Sequence, residues 1–428
     1  MTELLRLAPA TRPLDAVVHV PGSKSIANRA LVCAALAEGD SRLRGVPGGD
    51  DTVAMVRGLQ ALGVGLSLDG DEALVAGTGG RLGAGPITVD AGLAGTTSRF
   101  LTAVAALATG PVTVDGAPPL RTRPMGPLHD ALTALGAAVH PGDGPGRLPV
   151  TITGPLGRGG AVTLRGDVSS QYLTALMMIG PLLDGGLRLH LSSALVSVPY
   201  VELTAHVMAA FGVGAVDVAD AMIDVPSGRY RSTTLTVEPD ASSASYPLAM
   251  AAVAGGRVQV PGLRRRSLQG DAEFADLLGQ MGCSVDDDAA GIIVRRDPAV
   301  RLHGIDVDMA DMSDLVPTLA AVAATAASPT TIRGVGFIRA KESDRLGDLA
   351  AELAKTGARV TVLHDGLRIA PAPELHEAVL ATHHDHRLAM AFGVLGAAVP
   401  GIVVADPDVV SKSWPDFWTT RTAILEPT

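Results

Sequence analysis

The chain has 428 residues, of which 47% are hydrophobic but only 3% aromatic, and a net charge of −10. This length suits two or three domains with cores of Ala, Val and Leu rather than rings. The acidic balance argues against nucleic acid or a membrane surface as a partner through bulk charge, so an anionic ligand would need basic residues concentrated locally.

No charged-then-apolar leader opens the chain, and no run approaches the roughly 18 apolar residues of a membrane span, so a cytoplasmic protein is expected. Residues 17–20 read as a strand that Pro21-Gly22 breaks. Ser23-Lys24-Ser25 then opens an alanine-rich run, the pattern of a helix N-terminus. The first turn of such a helix leaves N–H groups unpaired at its positive end. Lys24 there is unfavourable unless an anion is bound, although a solvated lysine is the plain alternative. Similar starts return at Gly95-Thr96-Thr97-Ser98-Arg99, Ser169-Ser170-Gln171, Ser242-Ser243, Ser313-Asp314 and His384-Asp385-His386-Arg387. Anchored on Lys24, Thr96, Ser169, Ser242, Asp314 and Asp385, they recur every 72, 73, 73, 72 and 71 residues. Gly63, Gly136, Gly212, Gly282 and Gly357, each closing an apolar run, give gaps of 73, 76, 70 and 75.

Two markers with one period imply six copies of a small unit, read as strand, helix, strand, helix, then short strands. The last copy lacks its glycine and runs out over residues 418–428. Six copies divide as three plus three. Breaks at residues 14–21 and 237–240 give one domain over 21–238 and a second over 1–20 and 239–428, provided that the N-terminal strand completes the later half.

Within the repeats, Arg123 precedes a proline, which directs its side chain outward. Gly142 to Gly146 is a turn, without the spacing of a dinucleotide loop. Ser197-Val198-Pro199-Tyr200 sets two hydroxyls beside a rigid turn. Asp306, Asp308, Asp311 and Asp314 resemble a calcium loop in charge only, and residues 315–327 read as a buried helix. Lys341-Glu342-Ser343-Asp344-Arg345-Leu346 reads as a helix start with Lys341 and Arg345 on one face, where they repel unless an anion sits between them. His383, His384 and His386 lack a carboxylate that would complete a metal set. Cys33 and Cys283 have no metal spacing and are expected to be reduced thiols.

Taken together, Pro21-Gly22-Ser23-Lys24-Ser25-x-x-Asn28-Arg29, Ala94-Gly95-Thr96-x-x-Arg99, the run Arg123 to Leu128, Ser169 to Leu176, Lys341 to Leu346 and Asp385 to Met390 closely resemble the 5-enolpyruvylshikimate-3-phosphate synthases. The resemblance covers essentially the whole chain. It implies an α/β (α+β) fold, a two-domain inside-out α/β barrel with six βαβαββ repeats, three per domain, helices inside and sheets outside, and the active site in the cleft between domains. The implied reaction moves the enolpyruvyl group of phosphoenolpyruvate to the 5-hydroxyl of shikimate 3-phosphate and releases phosphate, a step of the shikimate pathway toward chorismate and aromatic amino acids. The two substrates carry roughly five negative charges. Lys24, Arg29, Arg99, Arg123, Lys341, Arg345, Arg387 and Lys412 would answer them.

By the same resemblance, Lys24, Ser25, Arg29, Ser169, Ser170, Gln171, Ser197, Asp314 and Lys341 hold shikimate 3-phosphate, while Lys24, Gly95, Arg123, Gln171, Arg345, Arg387 and Lys412 hold phosphoenolpyruvate. Asp314 is the base and Glu342 the acid, with Lys24 assisting and His386 as a further proton carrier. No metal or organic cofactor is expected, because phosphoenolpyruvate carries its own activated enol; nor is a nucleic acid or membrane partner, and the chain is expected to be a monomer. Glyphosate, the family's inhibitor, would occupy the phosphoenolpyruvate site. Leu93 and Phe337 stand where the family usually has asparagine, and Phe100 where it commonly has proline. One alternative is the related transferase acting on UDP-N-acetylglucosamine, which usually carries a reactive cysteine in the second repeat; residues 110–126 contain none. A non-catalytic anion-binding protein on the same scaffold would be expected to lose Asp314 or Glu342.

Overall fold

The computed structural model describes residues 3–426; the outermost positions of the expected second domain, Met1, Thr2, Pro427 and Thr428, lie outside the described residues. The chain forms two compact units, one of Gly22–Glu238 and one of the described residues up to Pro21 and from Pro239 onward.

In the first unit, α1 (Lys24–Leu36), α2 (Gly95–Ala105) and α3 (Ser170–Ile179) are buried almost from end to end. Small and apolar residues dominate α1 and α3, and the threonines, Ser98 and Arg99 of α2 are buried with its apolar residues, so each helix is covered on nearly all sides. A further helix, α4 (Val198–Ala210), buries one face beside α1 and α3. In the second unit α5 (Ala241–Ala254), α6 (Val316–Ala324) and α8 (His386–Ala398) are equally buried, and α7 (Gly347–Ala354) is amphipathic.

The strands form six small mixed sheets. Ile87–Asp90 runs parallel to Pro111–Asp115, which pairs antiparallel with Val150–Thr153, itself antiparallel to Ala138–Pro141. The other four-stranded sheets repeat this order. The sixth has three strands, with Leu4–Arg6 antiparallel to Ile402–Ala405. Two strands are exchanged in sequence. Leu14–Val17 precedes α1 but pairs with Gly256–Val260 after α5, and Thr234–Thr236 precedes α5 but pairs with Glu38–Arg44 after α1. The expected strand over 17–20 is therefore displaced to Leu14–Val17, with the Val18 N–H to Gln259 as its last rung. The periodic glycines follow helix ends with φ between 83° and 111°. That left-handed conformation closes a helix cheaply only without a Cβ.

Candidate active site

In the first unit most of the residues singled out from sequence lie at helix starts; Arg29 sits more than a turn inside α1, and Arg123 in the link before the helix Gly126–Ala134. The Ser23 side chain caps α1 by accepting from the Ile26 N–H, and Ser169 caps α3 through the Gln171 N–H. The first residue of α1, Lys24, places Nζ 2.9 Å from Oδ2 of buried Asp51. Arg29 is sealed inside. It donates to Thr204 Oγ1 at 2.8 Å, Ser25 O at 2.8 Å, Tyr200 O at 3.2 Å and Thr174 Oγ1 at 3.3 Å, and lies 5.5 Å from the Phe100 ring centroid. Burial lowers its pKa to about 10, against the attraction of Tyr200 and Cys33. Those hydrogen-bond acceptors are hydroxyls and carbonyls, so the guanidinium charge favours an anion.

The start of α2 has no side-chain cap. A Cβ on Gly95 would stand 2.5 Å from Arg123 Nη1 and 2.7 Å from Arg99 Nη1, so two guanidiniums converge on this helix end. Arg99 also donates to Gly95 O and Gln171 Oε1, each at 3.0 Å, and to Pro124 O at 3.3 Å. Gln171 in turn donates to Thr96 Oγ1 at 3.3 Å. Ser170 is buried in the first turn of α3. Ser197 precedes α4 at φ 58°, a strained conformation for a residue with a Cβ, and Pro199 starts the helix behind it. The structure thus joins the starts of α1, α2, α3 and α4 through Arg29, Arg99 and Gln171.

The second unit interleaves cations with carboxylates. Asp314, in the 3-10 turn Ala310–Leu315, accepts from Arg345 Nη1 and Arg387 Nη2, both at 2.7 Å, with Lys341 Nζ at 3.8 Å. Burial would raise the Asp314 pKa, but Arg387, Lys341 and Arg345 together hold it well below the usual carboxylate range. Glu342 accepts from Arg345 Nη2 at 2.8 Å and Lys412 Nζ at 2.9 Å. Asp385, fully buried, accepts from Arg345 Nε at 2.7 Å and caps α8 through the Arg387 N–H at 2.9 Å. Burial works against the Arg345 charge, but Asp385, Glu342 and Asp314 raise its pKa above the ordinary value. His386 is buried in the first turn of α8.

One expectation is corrected here. Lys341 to Leu346 is not a helix start but an irregular link between the 3-10 turn Gly336–Ala340 and α7. Lys341 and Arg345 therefore do not share a helix face. Their separation is fixed instead by Asp314, which both approach. Asp51, Asp385, Thr174 and Thr204 are supporting groups that the sequence reading did not assign. Asp385 carries a signal, as the small polar residue at a helix start, whereas Asp51 is one of two acids in the first turn of the helix Asp50–Ala61, a common place for an acid. Among the described residues no group of three or more His, Cys, Asp or Glu could hold a metal ion, and no helix is long and apolar enough to cross a membrane.

A sequence model of the family EPSP synthase (3-phosphoshikimate 1-carboxyvinyltransferase) matches residues 9–420. A 3-phosphoshikimate 1-carboxyvinyltransferase of Methanoculleus marisnigri is 46% identical over 95% of this chain and 96% of its own. One from Nostoc punctiforme is 42% identical over 99% of this chain and 100% of its own. The chain belongs to the EPSP synthase family. An EPSP synthase structure from Acinetobacter baumannii superposes with a TM-score of 0.82 at 25% identity, covering 99% of this chain and 98% of that one. Phe337, one of the departures noted from the sequence, brings its ring centroid to 6.0 Å from Lys341 Nζ, a cation–π contact. Phe100, in place of proline, supplies the apolar face under Arg29. Leu93 is exposed just before α2.

Proposed function

We propose that this chain transfers the enolpyruvyl group of phosphoenolpyruvate to the 5-hydroxyl of shikimate 3-phosphate, using residues of both units. The observation that carries this reading is the cluster in which Arg345, Arg387, Lys341 and Lys412 are interleaved with Asp314 and Glu342. An anion-binding protein needs the cations alone. A proton-transferring enzyme needs carboxylates among them.

Asp314 is ionised at neutral pH, and it becomes a better base for the 5-hydroxyl proton when phosphoenolpyruvate draws Arg345 and Arg387 away from it. The oxygen then bonds to C2 of phosphoenolpyruvate while C3 accepts a proton from Glu342. The C2–O bond to phosphate then breaks as Glu342 takes back a proton from C3, which restores the C2=C3 double bond as the enol ether of the product; the proton held by Asp314 passes to phosphate or solvent. When phosphoenolpyruvate arrives, its carboxylate and phosphate compete with Glu342 and Asp314 for Arg345, Arg387 and Lys412. This exchange of partners frees Glu342 to carry a proton. In the other unit, Lys24, Ser25, Arg29, Ser169, Ser170, Gln171 and Ser197 hold shikimate 3-phosphate, and Gly95, Arg123 and Gln171 face phosphoenolpyruvate. Planar guanidiniums suit both anions because they bind carboxylate or phosphate through paired N–H groups. The six mixed sheets and the buried helices support a layout of repeats with helices inside, and the protein acts as a cytoplasmic monomer.

Asp314→Asn and Glu342→Gln should each fold, bind both substrates and lose about 10²-fold or more in turnover. Wild-type turnover in either variant removes that residue from its role.

A further inference from the structure

Asp385 meets Arg345 only because of the turn that delivers it. His383 and His384 have φ of 50° and 57°, consecutive left-handed residues that both carry a Cβ. Such a pair persists only where its surroundings hold it. What holds it is α7. Glu352, buried near the end of that helix, lies 2.9 Å from His383 Nε2 through Oε1, and its Oε2 accepts from the Ala381 N–H at 2.9 Å and Lys355 Nζ at 2.6 Å. The neighbouring contacts keep Glu352 a carboxylate, so Nε2 carries the hydrogen. One turn earlier, Asp348 Oδ1 is 3.7 Å from His383 Nδ1, while its Oδ2 accepts from the Asp344 N–H at 3.0 Å. Past the turn, Asp385 accepts from Arg345 Nε at 2.7 Å and Ser343 Oγ at 3.1 Å. The contacts therefore close a ring, from Arg345 along α7 to Glu352, across to His383, and back through Asp385 to Arg345.

We propose that Glu352 and His383 are positioning residues: their hydrogen bond holds the left-handed turn that sets Asp385, and through it the Arg345 guanidinium. This rests on the assignment of Arg345 to phosphoenolpyruvate. The bond touches no residue assigned to shikimate 3-phosphate and reaches Asp314 only through Arg345, so its loss weighs mainly on phosphoenolpyruvate. His383 is about one-third exposed at its side chain, so its replacement leaves no buried cavity.

The test measures kcat and both Michaelis constants for His383→Ala, His383→Gly and His383→Asn. Alanine loses the bond and keeps the strain, and should raise KM for phosphoenolpyruvate about tenfold while KM for shikimate 3-phosphate stays within about twofold. Glycine loses the bond but relaxes in the left-handed region, and should raise it only about threefold. Asparagine also tolerates that region, but its amide stands at the level of Nδ1 and does not reach Glu352, so it should resemble glycine rather than the wild type. A merely structural role would lower the melting temperature and leave this order absent. The proposal is overturned if alanine leaves KM for phosphoenolpyruvate unchanged, if both constants rise by one factor, or if glycine is as damaging as alanine. Should alanine fail to fold, a glycine variant with native KM for phosphoenolpyruvate overturns it equally. A wild-type enzyme that releases no phosphate contradicts the proposed function instead.

Discussion

At Gly95 a methyl group would press on Arg123 and Arg99 before it met any ligand, since their Nη1 atoms stand 2.5 and 2.7 Å from where it would lie. These are the ends of flexible side chains and can move, so Gly95→Ala should fold. Moving them disturbs the anion site itself, and phosphoenolpyruvate should bind somewhat less well. Glyphosate is longer than phosphoenolpyruvate, so at this site it should meet the methyl group in addition. Overpacking of this kind costs about 1–3 kcal/mol, so the inhibition constant should rise tenfold or more beyond the change in KM. Equal factors in the two constants would mean that Gly95 does not discriminate between the ligands. The space that the missing Cβ leaves at Gly95 is shared with two guanidiniums.

The start of α5 differs from the other helix starts, because acids crowd it. Asp240 caps it through the Ser243 N–H, and Ser242 donates to Asp271 from its first turn. Burial, and then the nearby Asp314 and Asp240, push the Asp271 carboxyl up to about 6, against Ser242 and Arg387. A raised pKa favours the fold in the protonated form. Its contribution is complete below the unfolded value near 4 and is lost as pH rises through about 6. Asp271→Asn mimics the protonated group, so its urea midpoint should exceed that of the wild type at pH 7.5, with the gap closing by pH 4. A gap independent of pH would contradict this. At this scale the helix starts and the glycine closures were legible, because caps and left-handed turns depend on local residue types. The link from Lys341 to Leu346 was not. Its charge pattern fits a helix, but its conformation is set by Asp314 and Asp385, which lie 31 and 40 residues from Arg345. Asp51 was hidden for the same reason, as its partner Lys24 is 27 residues away. The Leu14–Val17 strand was misplaced because its partner lies in Gly256–Val260, far along the chain.

For the whole molecule, the residues assigned to shikimate 3-phosphate are divided between the units, with Lys24, Arg29 and Gln171 in one and Asp314 and Lys341 in the other. The chain passes between units only at Pro21–Gly22 and Glu238–Pro239. The formal charge of −10 is compatible with this chemistry because Asp314, Glu342 and Asp385 hold the second unit's site cations in pairs until substrates compete for them. The central claim is the reaction itself, and phosphate release measures it most directly. With purified protein and phosphoenolpyruvate, phosphate should appear when shikimate 3-phosphate is added and not when UDP-N-acetylglucosamine takes its place. Release with the UDP-sugar, or none with shikimate 3-phosphate, would contradict the account.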